Sequence, residues 1–111
     1  MAKKGTSSPK RGGSVELLTR QKKAVKPPKK YKVIFHNDDF TPMDFVAIIL
    51  MLFFHQSSEA AWNITMQIHE KGRGIAGGPY SKEVAETKVD QVLNAAKGSG
   101  YPLLATFEPA D

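Results

Sequence analysis

The stretch "HNDDFTPMDF" sets an imidazole, a carboxamide and two carboxylates (His36, Asn37, Asp38 and Asp39) directly ahead of the most apolar run of the chain. A second imidazole, His69, lies near the end of a later helical pattern. All of these groups can present acceptor lone pairs, and the aspartates add negative charge. Such a set has two uses. It can cap a helix and close a turn, because Asn and Asp bond readily to nearby backbone. Or it can hold something polar that belongs to another molecule. His69, at a helix end, has the same two readings, since the helix dipole alone suits an imidazole there.

Other chemistries are poorly supplied. The chain has no cysteine, which removes disulfides, thiolate metal sites and a cysteine nucleophile. His36, His55, His69 and the two aspartates lack a paired ligand spacing such as HxxxH, so no metal and no cofactor are expected. The glycine-rich "GRGIAGG" is not followed by GK[ST], and its glycines serve turns rather than phosphates. No Ser/His/Asp arrangement can be defended, and the chain reads as a protein that is not an enzyme.

The charge is divided. Residues 1–30 hold ten Lys/Arg and one acid, Glu16, whereas residues 31–111 hold six Lys/Arg and ten acids. The basicity belongs to a tail, and the part that folds is mildly acidic. Residues 1–29 are rich in Gly, Ser, Pro and Lys and carry no aromatic residue, so they are expected to form a disordered basic extension. A short helical turn is expected near residues 15–18. Pro27-Pro28 act as a stiff spacer. The lysines at the start are not followed by an apolar run, so no secretory signal is read there. The longest apolar stretch, 45–54, is about half of a membrane span.

The acceptor cluster must be positioned by what surrounds it. "KYKVIFHN" alternates Tyr31, Val33 and Phe35 with Lys30, Lys32 and Ile34, the pattern of a strand. "TPMDF" then opens a helix, with Thr41 at the N-cap, Pro42 at the first helical position and an end near His55. A second helix begins at Ser57 or Ser58 and ends at Gly72. Trp62, Met66, Ile68 and His69 fall near one face of it, flanked by Ala61 and Ile64. A short strand is expected around residues 74–76. The third helix is capped by Ser81 and carries Val84, Val89, Val92, Leu93 and Ala96 at helical spacing. "PLLATFEP" forms the last strand. The fold class is α/β (α+β): a small three-stranded antiparallel sheet covered by three helices, in the order β-α-α-β-α-β, over residues 30–111.

In this order and spacing, "YKVIFHNDDFTPMDFV", "QIHEKGRGIAGGPYSKEVAETKV" and "YPLLATFEPAD" resemble the ClpS family of adaptors, which deliver N-degron proteins to an AAA+ Clp protease. The resemblance covers residues 30–111 and implies the same fold. It implies capture of a protein whose first residue is bulky and apolar (Phe, Tyr, Trp or Leu) and its transfer to a ClpA- or ClpC-like unfoldase. It further implies that Asn37 and His69 meet the α-amino group, that Asp38 assists through backbone or water, and that Asp39 lies nearby. Thr41, Met43, Val46, Ile68 and Leu103 would line an apolar hole. Glu83, Glu86 and Lys88 would face the N-terminal domain of the unfoldase, although "KEVAETK" also reads as a solvated face with i,i+4 charge pairs. A cytoplasmic adaptor is implied, with no membrane partner.

Two departures stand out. Thr65 occupies a place where the family usually has a methionine that narrows the pocket, which suggests a wider entrance and tolerance of Ile or Val as first residue; alternatively Met66 swings in. On the first helix, Ile48, Met51 and Leu52 form an apolar stripe opposite Phe45, Ile49 and Phe53, as a self-association or partner face would. The competing function is a small RNA- or ribosome-binding module that uses the basic tail. Against it, the folded part is acidic and shows no aromatic–basic interleaving.

Overall fold

The computed structural model describes residues 27–111. The expectations for the basic extension, the turn near residues 15–18 included, fall on residues 1–26 and lie outside the described residues. Six elements follow in the expected order: β1 (Tyr31–His36), α1 (Met43–Phe54), α2 (Ser58–Lys71), β2 (Arg73–Tyr80), α3 (Lys82–Gly98) and β3 (Leu104–Pro109). The sheet is antiparallel with β1 in the centre, in the order β2-β1-β3.

β1 works on both faces. Tyr31, Val33 and Phe35 stand opposite Pro109, Phe107 and Ala105 of β3 and turn toward the helices. Lys32, Ile34 and His36 stand opposite Glu108, Thr106 and Leu104 on the outer face. There the Glu108 carboxylate pairs with Arg73 at 2.8 Å and with Lys32 at 3.8 Å. Ile34 is buried even on this face, beside Thr106 and Ile75 in register. β2 is longer than the short strand expected around residues 74–76. Its glycines leave little side-chain signal in the sequence, yet their backbone still pairs with β1.

The helix ends follow local chemistry. Ser57 accepts from the Ala60 N–H and Ser81 from the Val84 N–H, so both serine caps stand as expected. Gly72 ends α2 at φ 90°, a left-handed turn that costs glycine little. α1 starts one residue later than expected. Pro42 is its N-cap and Met43 its first residue, with no side-chain cap, and the N–H and hydroxyl of Thr41 both donate to Asp38 instead.

The core gathers Val33 and Phe35, one side of α1 (Val46, Ala47, Ile49, Leu50, Phe54), and Val89, Val92 and Ala96 of α3. Phe35 and Phe54 meet edge to face at 5.5 Å. Phe45 and Phe53, expected to face the core, are only half-buried and pack at its margin. Of the proposed second stripe, Ile48 and Leu52 are exposed, but Met51 packs against the core. α2 corrects its expected face more strongly. Ala61, Thr65 and Ile68 are buried, while Trp62 and Met66 are 42% and 39% exposed. β2 comes close to this helix at Ile64 and Ile68, as Gly74 shows below. On α3, Val84 is exposed and Ala85 takes the inner position. No described helix is long and apolar enough to cross a membrane.

Phe54 joins sheet and helices in one contact, so Phe54→Ala is expected to cost about 3–5 kcal/mol of unfolding free energy, read from urea denaturation. A loss below about 1 kcal/mol would show that the site collapses around the missing ring.

Candidate functional site

β1 ends at His36, and the chain leaves it through a tightly bonded turn. The Asn37 N–H donates to the Gly72 carbonyl at 2.9 Å, which ties the end of β1 to the end of α2. Asp38 then organises the turn. One carboxylate oxygen accepts the N–H groups of Phe40 and Thr41, and the other accepts the Thr41 hydroxyl, all at 2.8 Å. Burial pushes the Asp38 carboxyl upward, but these three hydrogen bonds together outweigh it and hold the group below the ordinary value of 3.8.

α2 contributes through its last turns. Thr65 is 2% exposed, and its hydroxyl donates to the Ala61 carbonyl one turn earlier at 2.7 Å. A buried hydroxyl satisfied by its own helix adds no polar demand to the space around it. Ile68 is buried and His69 is exposed. Ile68 is pressed from behind: a Cβ on Gly74 would stand 2.9 Å from its Cγ1. Only a glycine on β2 allows this approach.

These segments enclose one hollow with an empty volume of about 270 Å3, open solvent at its mouth included. Asn37, Asp38 and His69 line it together with Thr41, Met43, Val46, Thr65, Ile68 and Leu103. The buried members are Val46, Thr65, Ile68 and Leu103, and the exposed ones are Asn37 and His69, so the hollow has an apolar floor and a polar rim. Asp39 is exposed and is not among the lining residues. Met66 does not line the hollow either, so it does not replace a longer side chain at Thr65. His36 does line it, a member that sequence reasoning missed. Strand alternation places His36 on the outer face of the sheet, as the last residue of β1.

The face of α3 forms a second, shallower hollow of about 740 Å3, lined by Glu83, Glu86, Thr87, Val89, Asp90 and Phe107. Lys88 is not part of it. Its ammonium donates to the Phe53 carbonyl at the end of α1 and lies 5.6 Å from the centre of the Phe54 ring. A cation at a helix C-terminus satisfies a carbonyl that the helix leaves open.

Comparison with known proteins agrees with this geometry. Residues 26–106 match the family model described as ATP-dependent Clp protease adaptor protein ClpS. The ATP-dependent Clp protease adapter protein ClpS of Albidiferax ferrireducens is 49% identical over 98 residues, covering 88% of this chain and 80% of that protein. Its counterpart in Paracidovorax citrulli is 45% identical over 108 residues, covering 96% and 87%. Among solved structures, Agrobacterium tumefaciens ClpS2 bound to L-phenylalaninamide superposes with a TM-score of 0.72 at 35% identity, covering 75% of this chain and 99% of that one.

Two outcomes follow from the site's construction. Gly74→Ala must drive Ile68 into the hollow. It should cost about 1–3 kcal/mol in urea denaturation, and should narrow the floor as seen in a crystal structure of the variant. For Asp38, the folded-state value is depressed, so its stabilisation is complete above the ordinary aspartate value and disappears as pH falls through the folded one. The stability gap between wild type and Asp38→Ala should be flat from about pH 5 to 8 and shrink below pH 3.8. A gap unchanged down to about pH 2 would dissociate the turn from the carboxylate charge.

Proposed function

The chain belongs to the ClpS family of ATP-dependent Clp protease adaptors, and from that premise we propose that the hollow between β1, α1 and α2 reads the first residue of a substrate chain. The observation that carries this reading is one small cavity with an apolar floor and a rim of acceptors, Asn37 and His69 foremost, beside the Asp38 carboxylate. A free α-amino group is a cation with several N–H donors, whereas an internal residue offers one donor and no charge. Acceptors left unpaired by an internal segment cost about 1–3 kcal/mol each. A bulky apolar side chain on the floor contributes about 1.5–3 kcal/mol. Charge selection and a hole are together sufficient to recognise a chain start. The Phe-like ligand of the Agrobacterium protein has this chemistry, an α-amine beside a bulky side chain.

Asp38 acts mainly through its charge, since both its oxygens already serve the turn. Asp39 is assigned only the acidity of the surroundings. Phe, Tyr, Trp and Leu are the expected first residues. Thr65 is shorter than a methionine and keeps its hydroxyl on its own helix, and no other side chain of α2 between Thr65 and Ile68 lines the space. Ile and Val are therefore expected to enter as well.

The α3 face with Glu83 and Glu86 is the surface we assign to the unfoldase N-terminal domain, of a ClpA- or ClpC-like partner. Lys88 supports that face by anchoring it to the end of α1. The activity is delivery, without covalent chemistry.

Peptides beginning with Leu, Phe, Ile and Val, each with an N-acetylated twin, test the reading by fluorescence titration. Acetylation should weaken binding about 100-fold or more. Equal affinity for the twins would sink the amine-reading site. An Ile peptide within about tenfold of Leu is expected; a gap of about 100-fold, about 2.7 kcal/mol, would defeat the role given to Thr65.

A further inference from the structure

We propose that His36 is a second imidazole acceptor of the amine site, working beside His69 on the same incoming ammonium; this rests on the function proposed above. His36 is the last residue of β1 and lines the same hollow as Asn37, Asp38 and His69. Its position is built. It lies in register with Leu104 on β3 and Arg73 on β2, and the next residue, Asn37, is held by the Gly72 carbonyl. Its ring is held too, with Nε2 lying 2.8 Å from Thr106 Oγ1.

The Thr106 contact bears on the chemistry. A neutral imidazole has one donor nitrogen and one acceptor nitrogen, and the partner of one sets the role of the other. In the tautomer whose Nε2–H donates to the threonine hydroxyl, Nδ1 carries the bare lone pair that an ammonium needs, and the proposal requires this tautomer. His36 is thus to Thr106 what many functional imidazoles are to an orienting neighbour.

The charges around His36 come from every adjoining segment. Arg73 on β2 and Lys32 on β1 both pair with Glu108 on β3, two cations on one carboxylate, which leaves a net positive charge on that side of the ring. The turn adds Asp38, and α2 adds His69 across the hollow. Protonation of either imidazole removes an acceptor and places a cation beside the incoming one. Binding must then exclude two protons from the site, one from each ring. Proton linkage makes this visible: the logarithm of Kd should rise with a slope approaching two per pH unit at the acid end, against one for a single histidine.

The test titrates a fluorescent peptide beginning with Leu, from about pH 8 to about pH 5, into the full chain and its His36→Asn, His36→Val and His69→Asn variants. Asn keeps a neutral acceptor that does not titrate. His36→Asn should therefore bind within about threefold of wild type at pH 8 but lose one unit of acid slope. His36→Val should lose the same slope and weaken binding about tenfold at pH 8. In the wild type, ring NMR signals of both His36 and His69 should titrate at lower pH once the peptide is bound, which reads the role without any substitution. His36 variants with wild-type affinity and wild-type slope, or a peptide that moves only the His69 titration, overturn the proposal. A wild type that binds the N-acetylated twin equally well overturns the amine-reading function and the role of His36 with it. Discrimination against the twin beside unchanged His36 variants overturns the second imidazole alone.

Discussion

The geometry of the site hangs on one backbone hydrogen bond, from the Asn37 N–H to the Gly72 carbonyl. It joins two segments far apart in sequence, the exit of β1 and the end of α2, and these carry the rim acceptors. Its net worth is modest, about 0.5–1.5 kcal/mol, but its positional effect is large. Gly72 makes it available by ending α2 in a left-handed turn that an ordinary residue would enter at a cost of about 1–2 kcal/mol. The same turn sends the chain into β2, where Arg73 pairs with His36 and Gly74 with Phe35. Helix termination, strand pairing and placement of His69 near Asn37 are therefore consequences of one local conformation.

Asp38 gives the rim its charge without being consumed by a ligand. Its two oxygens accept three hydrogen bonds from the turn it closes. Those bonds keep the carboxyl ionised, and the ionised carboxyl keeps the turn closed. In the function proposed above, an ammonium arriving at Asn37 meets a field already in place, which needs no side chain to reorganise. The capping reading and the binding reading of the acceptor cluster are thus compatible: turn chemistry uses the oxygens, and the charge remains available to the cavity.

Much of this was legible in the residues. Serine caps, the glycine stop at Gly72 and the alternation of β1 report local rules, and local rules were obeyed. The errors arose where tertiary packing overrode them. Trp62 and Met66 fall near one face of α2 with Ile68, yet both are exposed, and Ala61, Thr65 and Ile68 take the inner side, where β2 closes on Ile64 and Ile68 at Gly74. Thr41 has the residue type of a cap, but the helix begins one residue later and Thr41 bonds to Asp38. The nine lining residues that the family resemblance indicated were accessible only through motif spacing; no periodicity argument unites Leu103 with Val46. His36 escaped even that.

The rim, rather than the floor, is the stronger discriminator. One methylene more or less in an apolar hole changes binding by about 1–3 kcal/mol, and a branched side chain against an unbranched one falls within the same range. Each rim acceptor left unpaired by an internal peptide bond costs a comparable amount, and several acceptors line this rim. On the function proposed above, the hollow is lenient about which apolar side chain it takes and strict about whether that residue stands first. In the proposed reading Thr65 fits this division, since its hydroxyl bonds within α2 and places no new polar requirement on the guest. Leniency in the floor and strictness at the rim are separable because they reside on different groups, and a family of such adaptors can vary the first without surrendering the second.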